Sequence, residues 1–372
     1  MTTNKEQLNN VGFKTLNDLK RNRNAKDYII RITSGTSGSN PVALARTRSN
    51  KVGTGPLFFY QGMRRVIAFW GTLNARLSRA TQFLFYPEDG DYTVLAVDSR
   101  DLRPDLNDIF RDFKPEGLCG FPSFVVRALS FIHDTKILRD IRAVSFSGEA
   151  LSEVQESFLR HKLPNATLEN HYASAEIGCI SGKPCGYLLR NQYHPHGRVT
   201  LENVNLDSDG VGELLVSYHL GPSVYVNRYA TGDAVRFLNT KCACGNPITF
   251  ELLGRKNFDF IKFLGATFLR EEFERVMSEL SRYVKDYRGE AREIALSDTL
   301  VGELTLKVVG TPAFLDKKDR KEFLRDEISK RLFVTPSKTY ANLVAEGLFL
   351  PLKIEITGSF EHCIKTVKLR RI

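Results

Sequence analysis

The sequence predicts an α/β protein in two parts. A large N-terminal α/β domain spans residues 1–258 and ends in a β-rich subdomain at about 190–254; a small α+β domain fills residues 259–372. Three observations predict this. Strand-like and helix-like segments alternate up to about residue 163, as layered α/β domains require. Four strand-like segments then crowd together between residues 197 and 255. Beyond residue 269 the order becomes helix, strand, strand, helix, strand, which suits a compact unit of about a hundred residues.

The elements follow from residue spacing. Leu8, Val11, Leu16 and Leu19 recur at near-helical intervals. "DYIIRIT" reads as a strand that feeds the polar loop "TSGTSG". "DLRPDLNDIFRDF" opens a helix, and "GFPSFVVRALSFI" opens another with Pro122 and Ser123 near its start. In "IRAVSFSGEAL" a strand runs into a Ser-Gly turn, and "SEVQESFLRHKL" resumes helical spacing. The β-rich part contains "GRVTLENVN", "GELLVSYHL", "VYVNRYATGDAVRF" and "ITFELLGR", read as a twisted sheet or small barrel. The last part holds the helices "LREEFERVMSELSRYV" and "KKDRKEFLRDEISKRL" around the strands "REIALSD" and "GELTLKVVG", with "LPLKIEITGSF" following. The junction falls near "GRKNFDFIKFLG".

Composition narrows the function classes. Hydrophobic content of 42% and charged content of 26% are ordinary for a soluble enzyme, and the polar start "MTTNKEQLNN" has no apolar signal core, so a cytoplasmic protein is expected. No run reaches the roughly 18 apolar residues of a membrane span, so no membrane partner is expected. The net charge of +10 allows a polyanionic partner. It is spread along the chain without aromatic interleaving or a recognised reader motif, which argues against nucleic acid.

"TSGTSG" carries the first chemistry. Its glycines Gly35 and Gly38 allow close backbone approach, and successive N–H groups can cradle an anion. Thr33, Ser34, Thr36 and Ser37 add hydroxyl donors. The Gly-Lys-Ser/Thr ending of the usual nucleoside-triphosphate loop is missing. On these letters alone the stretch is either a phosphate loop or a plain Ser/Gly turn.

Four later blocks bear on that choice: "SGEAL" (147–151), "HYASAEIG" (171–178), "RYATGDAVRF" (228–237) and "GRKNFDFIKFLGATF" (254–268). In this order the five stretches resemble the signature blocks of the adenylate-forming superfamily, which includes acyl-CoA synthetases, peptide-synthetase adenylation domains and luciferases. "SGEAL" and "CACG" lean towards its phenylacetate–coenzyme A ligase branch. The resemblance covers residues 32 to about 270, with a weaker echo at the C-terminus. It implies an ATP- and Mg²⁺-dependent ligase that activates a small-molecule carboxylate as acyl-adenylate. The phosphate loop would hold the tail of ATP, and Gly148, Glu149 and Ala173 would line the nucleotide site. Tyr172 would stack on adenine, Glu176 would hold Mg²⁺, Asp233 would accept the ribose hydroxyls and Arg255 would add a nucleotide contact. Asp259 matches the family's hinge, so the small domain is expected to be mobile. A lysine near the chain end, Lys365 or failing that Lys368, would stabilise developing charge in adenylation. Departures are Ser37 for threonine, Val42 where lysine is frequent, and Ala173 and Ile364 where glycine is usual.

The resemblance leaves the acyl acceptor open. Coenzyme A or a carrier-protein thiol is the commonest in the superfamily. Only about thirty residues precede the phosphate loop, a trimmed form that resembles amide-forming members such as indoleacetate–lysine ligase, which use an amine. A binding homologue that has lost catalysis is a further alternative. An aryl or arylacetic acid is expected from the branch, with "GFPSF" and "HYASA" as pocket walls.

Six cysteines without a secretory signal do not suggest a disulfide framework. Cys185, Cys242 and Cys244, with His194 or His196, match a Cys₃His set for structural Zn²⁺. Similar sets occur in some members of the phenylacetate-ligase branch; the alternative is free thiols.

Overall fold

A computed structural model describes residues 28–32, 43–47, 63–70, 82–85, 93–98, 106–174, 179–220, 223–238, 240–255, 260–315, 318–335, 338–360 and 369–371. Compactness divides the chain near residue 257, with most of the preceding residues in one unit and Phe258–Ile372 in the other.

Along residues 28–255, β1 (Tyr28–Ile32) and β2 (Ala43–Thr47) pair as an antiparallel ribbon. β3 (Arg65–Trp70), β4 (Gln82–Phe85) and β5 (Thr93–Asp98) precede helix α1 (Leu106–Phe113). Then come β6 (Gly117–Gly120), α2 (Pro122–Ser130), β7 (Ala143–Ser147), α3 (Glu153–Lys162) and β8 (Thr167–Ser174). β5, β3, β6, β7 and β8 lie side by side and parallel, with a helix in each of the connections β5 to β6, β6 to β7 and β7 to β8. Strands covered on both faces need unbroken apolar runs. "RVIAFW" and "AVSFS" supply them: Val66, Ile67, Ala68, Phe69, Val144 and Phe146 are all buried.

At β8 the sheet turns antiparallel. β9 (Cys179–Lys183) and β10 (Gln192–Pro195) link it to β14 (Thr249–Arg255), β13 (Ser223–Leu238), β12 (Val211–Leu220) and β11 (Val199–Val204). The β-rich segment is therefore a sheet, not a barrel, and it continues the parallel one, twelve described strands in all. Its inner face is a cluster of Tyr172, Tyr193, Leu214, Val216, Tyr218, Val226, Tyr229, Val235 and Phe250. Leu214, Val216 and Tyr218 share one face of β12, and Leu215 and Ser217 on the other face are buried as well.

The second unit starts with a hairpin, β15 (Phe260–Phe263) and β16 (Ala266–Leu269), followed by α4 (Arg270–Glu279). The long antiparallel pair β17 (Val284–Leu296) and β18 (Thr299–Gly310) comes next, then a helical turn α5 (Pro312–Leu315) and α6 (Arg320–Arg331). β19 (Phe333–Thr335), β20 (Lys338–Thr339) and α7 (Tyr340–Ala345) lead to β21 (Lys353–Thr357) and β22 (Leu369–Arg371). β21 and β22 flank the long pair in parallel, in the order β21-β18-β17-β22. This is the α+β order expected from the spacing. No helix among the described residues is long and apolar enough to cross a membrane.

Candidate nucleotide site and metal cluster

Three separated blocks converge in the first unit. Tyr172 on β8 donates its hydroxyl hydrogen to Asp233 Oδ2 on β13, at 2.6 Å. Arg255, at the end of β14, sets its Nε 3.1 Å from Asp233 Oδ1. Asp233 and Arg255 are direct cross-strand partners. Gly232 precedes the aspartate with φ of +74°, a backbone that L side chains rarely adopt. A bulge follows at Ala234/Val235 and re-aims the strand. Buried Thr231 fixes the turn: its hydroxyl donates to the Leu214 carbonyl (3.0 Å) and accepts the Asp233 N–H (3.1 Å). The Arg255 guanidinium also donates to the Thr231 carbonyl. Tyr172 and Arg255 thus orient the two Asp233 oxygens from separate strands. A carboxylate held this way can accept two hydroxyls of a diol, while the half-exposed guanidinium adds positive charge beside it.

The Tyr172 ring is 7% exposed and packs on Tyr193 and, edge-on, on Phe250, with centroids 6.2 and 6.0 Å away. The ring that the resemblance assigns to adenine thus lies in the core here, and what the residue presents to Asp233 is its hydroxyl. Burial, and then the charge of Asp233, push the phenol well above its ordinary range; Arg255 opposes this weakly. The sign of the consequence is fixed. Below about pH 10 the phenol is protonated in folded and unfolded chains alike. Above that, the unfolded chain sheds a proton that the fold retains, so stability falls as pH rises. Tyr172→Phe is expected to cost about 1 kcal/mol at neutral pH and to soften the alkaline decline, read from thermal melts at pH 7 to 11.

The "SGE" turn leaves the carboxyl end of β7. Glu149 Oε2 accepts from the Ser123 backbone N–H at 3.3 Å and from the Ser123 hydroxyl, at the start of α2. Asn170 on β8 donates to the Glu149 carbonyl at 3.4 Å and to the Tyr193 hydroxyl at 3.1 Å. The turn is thereby tied to the start of α2 and to β8.

Around β10, an interior strand of the sheet, Cys185, His194, Cys242 and Cys244 gather with their ligand atoms all within 4.8 Å of one another. Cys185 Sγ and Cys242 Sγ are 3.8 Å apart. Thiolates bound at about 2.3 Å to a tetrahedral ion are separated by about 3.8 Å. His194 Nδ1 lies 2.7 Å from the Ile248 carbonyl, which places a proton there and leaves Nε2 to face Cys244 Sγ at 3.2 Å. His196 is not in the cluster. It lies half-buried, its pKa lowered by burial and then by Lys183 and Arg198. Three thiols and one imidazole with a fixed tautomer fit Zn²⁺ and fill a four-ligand shell.

No protein-family model matches the sequence, and neither does any curated protein. Solved structures do. The crystal structure of 2-hydroxyisobutyryl-CoA ligase in complex with 2-HIB-AMP and CoA, in the thioesterification state, matches with a TM-score of 0.57 and 15% identity, over 100% of this chain and 80% of that one. An open conformation of that enzyme, in complex with the same two molecules, gives 0.50 and 15% over 100% and 81%. The chain has the fold of the adenylate-forming ligases.

Against that fold, the sequence-expected residues sort by location. Gly148 and Glu149 follow β7, Tyr172 and Ala173 lie on β8, Asp233 lies on β13 and Arg255 ends β14. Thr33, Ser34, Gly35, Thr36, Ser37, Gly38, Val42, Glu176, Asp259, Ile364, Lys365, Lys368 and the helical spacing of Leu8 to Leu19 lie outside the described residues. Sequence reasoning missed the Ser123–Glu149 pair and the Tyr172–Asp233 bond. No spacing signals either, because both depend on strand order.

Proposed function

We propose that this protein is an AMP-forming carboxylate ligase. The observation that supports the reading most is the meeting of Tyr172, Asp233 and Arg255, drawn from three of the five motif blocks onto one carboxylate. In the first half-reaction a substrate carboxylate oxygen attacks the α-phosphorus of ATP. The α–β phosphoanhydride bond breaks and pyrophosphate leaves. In the second, a thiol sulfur attacks the acyl carbon, AMP departs with its bonding pair, and the thiol proton passes to solvent. Asp233 binds the ribose hydroxyls, Arg255 contributes positive charge, and Tyr172 holds Asp233 in register. The loop Thr33–Gly38 cradles the phosphates, Glu176 holds Mg²⁺, and Lys365, or failing that Lys368, supplies the cation of adenylation. Bound Mg²⁺ supplies charge neutralisation on the phosphates. The thiol is assigned to coenzyme A, which is present in the complex of the fold relative. The acid is aryl or arylacetic, and Zn²⁺ in the cysteine–histidine cluster is structural.

Carboxylate-dependent pyrophosphate release tests this, with purified protein, Mg·ATP and a panel of acids, followed by addition of coenzyme A or of amino acids. Release with at least one acid, and thioester on adding coenzyme A, is expected. Amide formation instead would move the acceptor to an amine; no release with any acid would overturn the activity.

A further inference from the structure

Helix α2 begins in an unusual way. Its N-cap position is Phe121, with extended dihedrals of −74° and 143° and no side-chain cap. Phenylalanine cannot cap; that position favours Ser, Thr, Asp or Asn, which accept the N–H of the second or third helical residue. Here Pro122 fills the first position and the carboxylate of Glu149 takes the N–H of the second, Ser123. It also takes the hydroxyl of Ser123, which is fully buried. A distant acid therefore does the capping, and position 121 is released to carry an aromatic ring. A local rule broken and compensated from elsewhere in the chain marks a site where something other than stability has been selected.

The ring's location gives that purpose. Phe121 follows directly on β6, at the carboxyl edge of the parallel strands. β6 lies on one side of β3 and β5 on the other, so the chain's direction of travel across the sheet reverses between β3 and β6. Ligands of open α/β sheets bind outside the carboxyl ends of the strands at such a reversal. Next in line are the "SGE" turn after β7 and Tyr172 with Ala173 towards the end of β8. The Phe121 ring lies over Gly148: a Cβ there would stand 2.5 Å from Phe121 Cε1. It also stacks on Phe124 at 5.2 Å and 24°, and both rings keep part of their surface exposed.

We infer that Phe121 is a specificity-determining residue, a flat apolar wall for the acyl group, and that Glu149 is its positioning residue. This rests on the carboxylate-ligase reading above and deepens it. Paired, nearly parallel rings favour a planar apolar acyl group, an aryl or arylalkyl acid, over a short aliphatic one. Gly148 is part of the device, since alanine there would drive the ring aside.

The test compares pyrophosphate release with phenylacetate and with propionate, alongside KM for ATP and thermal melts. In Phe121→Ala the kcat/KM ratio of phenylacetate to propionate is expected to fall about 10- to 100-fold, with KM for ATP moving less than about threefold. Phe121→Leu should keep most of the ratio. Glu149→Ala should lower both the melting temperature and the ratio. Phe121→Asp in the Glu149→Ala background should restore the melting temperature, through a local cap, without restoring the ratio. That split separates a recognition role from a structural one. An unchanged acid ratio in a folded Phe121→Ala variant, with wild type active, overturns this inference alone. Wild type inactive with every acid overturns the ligase reading and this inference with it.

Discussion

Asp233→Ala is expected to lower kcat/KM for ATP by about 100- to 1000-fold. The carboxylate's place in the fold sets the size of the loss. Its two oxygens are already held by the Tyr172 hydroxyl and the Arg255 Nε, so it arrives at a ligand pre-oriented, with no further ordering cost. Hydrogen bonds to a charged group contribute about 1.5–3 kcal/mol each, so two ribose hydroxyls lost together cost about 3–6 kcal/mol, and the expected loss takes the lower part of that range, about 3–4 kcal/mol. The same substitution leaves the buried Tyr172 hydroxyl without its acceptor, at a cost of about 1–3 kcal/mol in stability. The ion pair adds less, because Arg255 is 37% exposed and solvent screens it. Asp233→Asn distinguishes the two effects. It retains an acceptor for Tyr172, so melting should stay close to wild type, while nucleotide binding still loses the charge. ATP-dependent pyrophosphate exchange and thermal melts on both variants provide the measurements. An alanine variant with normal KM for ATP would move the ribose contact elsewhere.

The parts of this architecture that depend on local chemistry were legible in the chain. Double-sided burial leaves a continuous apolar run, so "AVSFS" reads as a central strand and β7 is one. The antiparallel regime shows in "GELLVSYHL", which reads as a strand of the β-rich sheet, and β12 is one, with Leu214 to Tyr218 all buried. What joins the two regimes was not legible. β9 and β10 pair over only a few residues, and "CISGK" and "QYHP" carry no strong pattern, so the sheet's continuity is a tertiary fact. The same holds for the site. Tyr172 and Asp233 are 61 residues apart and meet only because β9, β10 and β14 separate their strands in that order. Phe121 did leave a trace: an aromatic before the proline of a helix start, with no capping side chain in its place. The metal set was legible from residue type and spacing, but not the choice between His194 and His196. Two residues apart near a strand's end, both share one face of the sheet pattern. The Ile248 carbonyl decides, because it reaches only the first.

Removing the metal set should have the other large effect, on stability rather than turnover. The four ligands come from the loop before β10, from β10 itself and from the knuckle before β14, where the Cys242 N–H reaches the Asn246 carbonyl at 3.1 Å. A bound ion would tie that knuckle to β10, whose pairing with β14 runs over only two residues. An ion at a thousand times its dissociation constant stabilises the fold by about 4 kcal/mol. At about 2–4 °C per kcal/mol for a unit of this size, chelation should lower the melting temperature by roughly 8–16 °C. Cys242→Ser and Cys244→Ser should melt near the chelated wild type and gain nothing from added zinc. His196→Ala should keep wild-type zinc content, since that ring lies outside the cluster. Because three thiols and an imidazole complete the shell, no position remains for substrate. Any loss of pyrophosphate release in zinc-stripped protein, assayed after the chelator is removed and Mg²⁺ restored, should therefore track unfolding, with KM for ATP unchanged in the molecules still folded. Metal analysis that finds no zinc in protein purified without chelator would leave the four groups as free thiols and an imidazole held by Ile248.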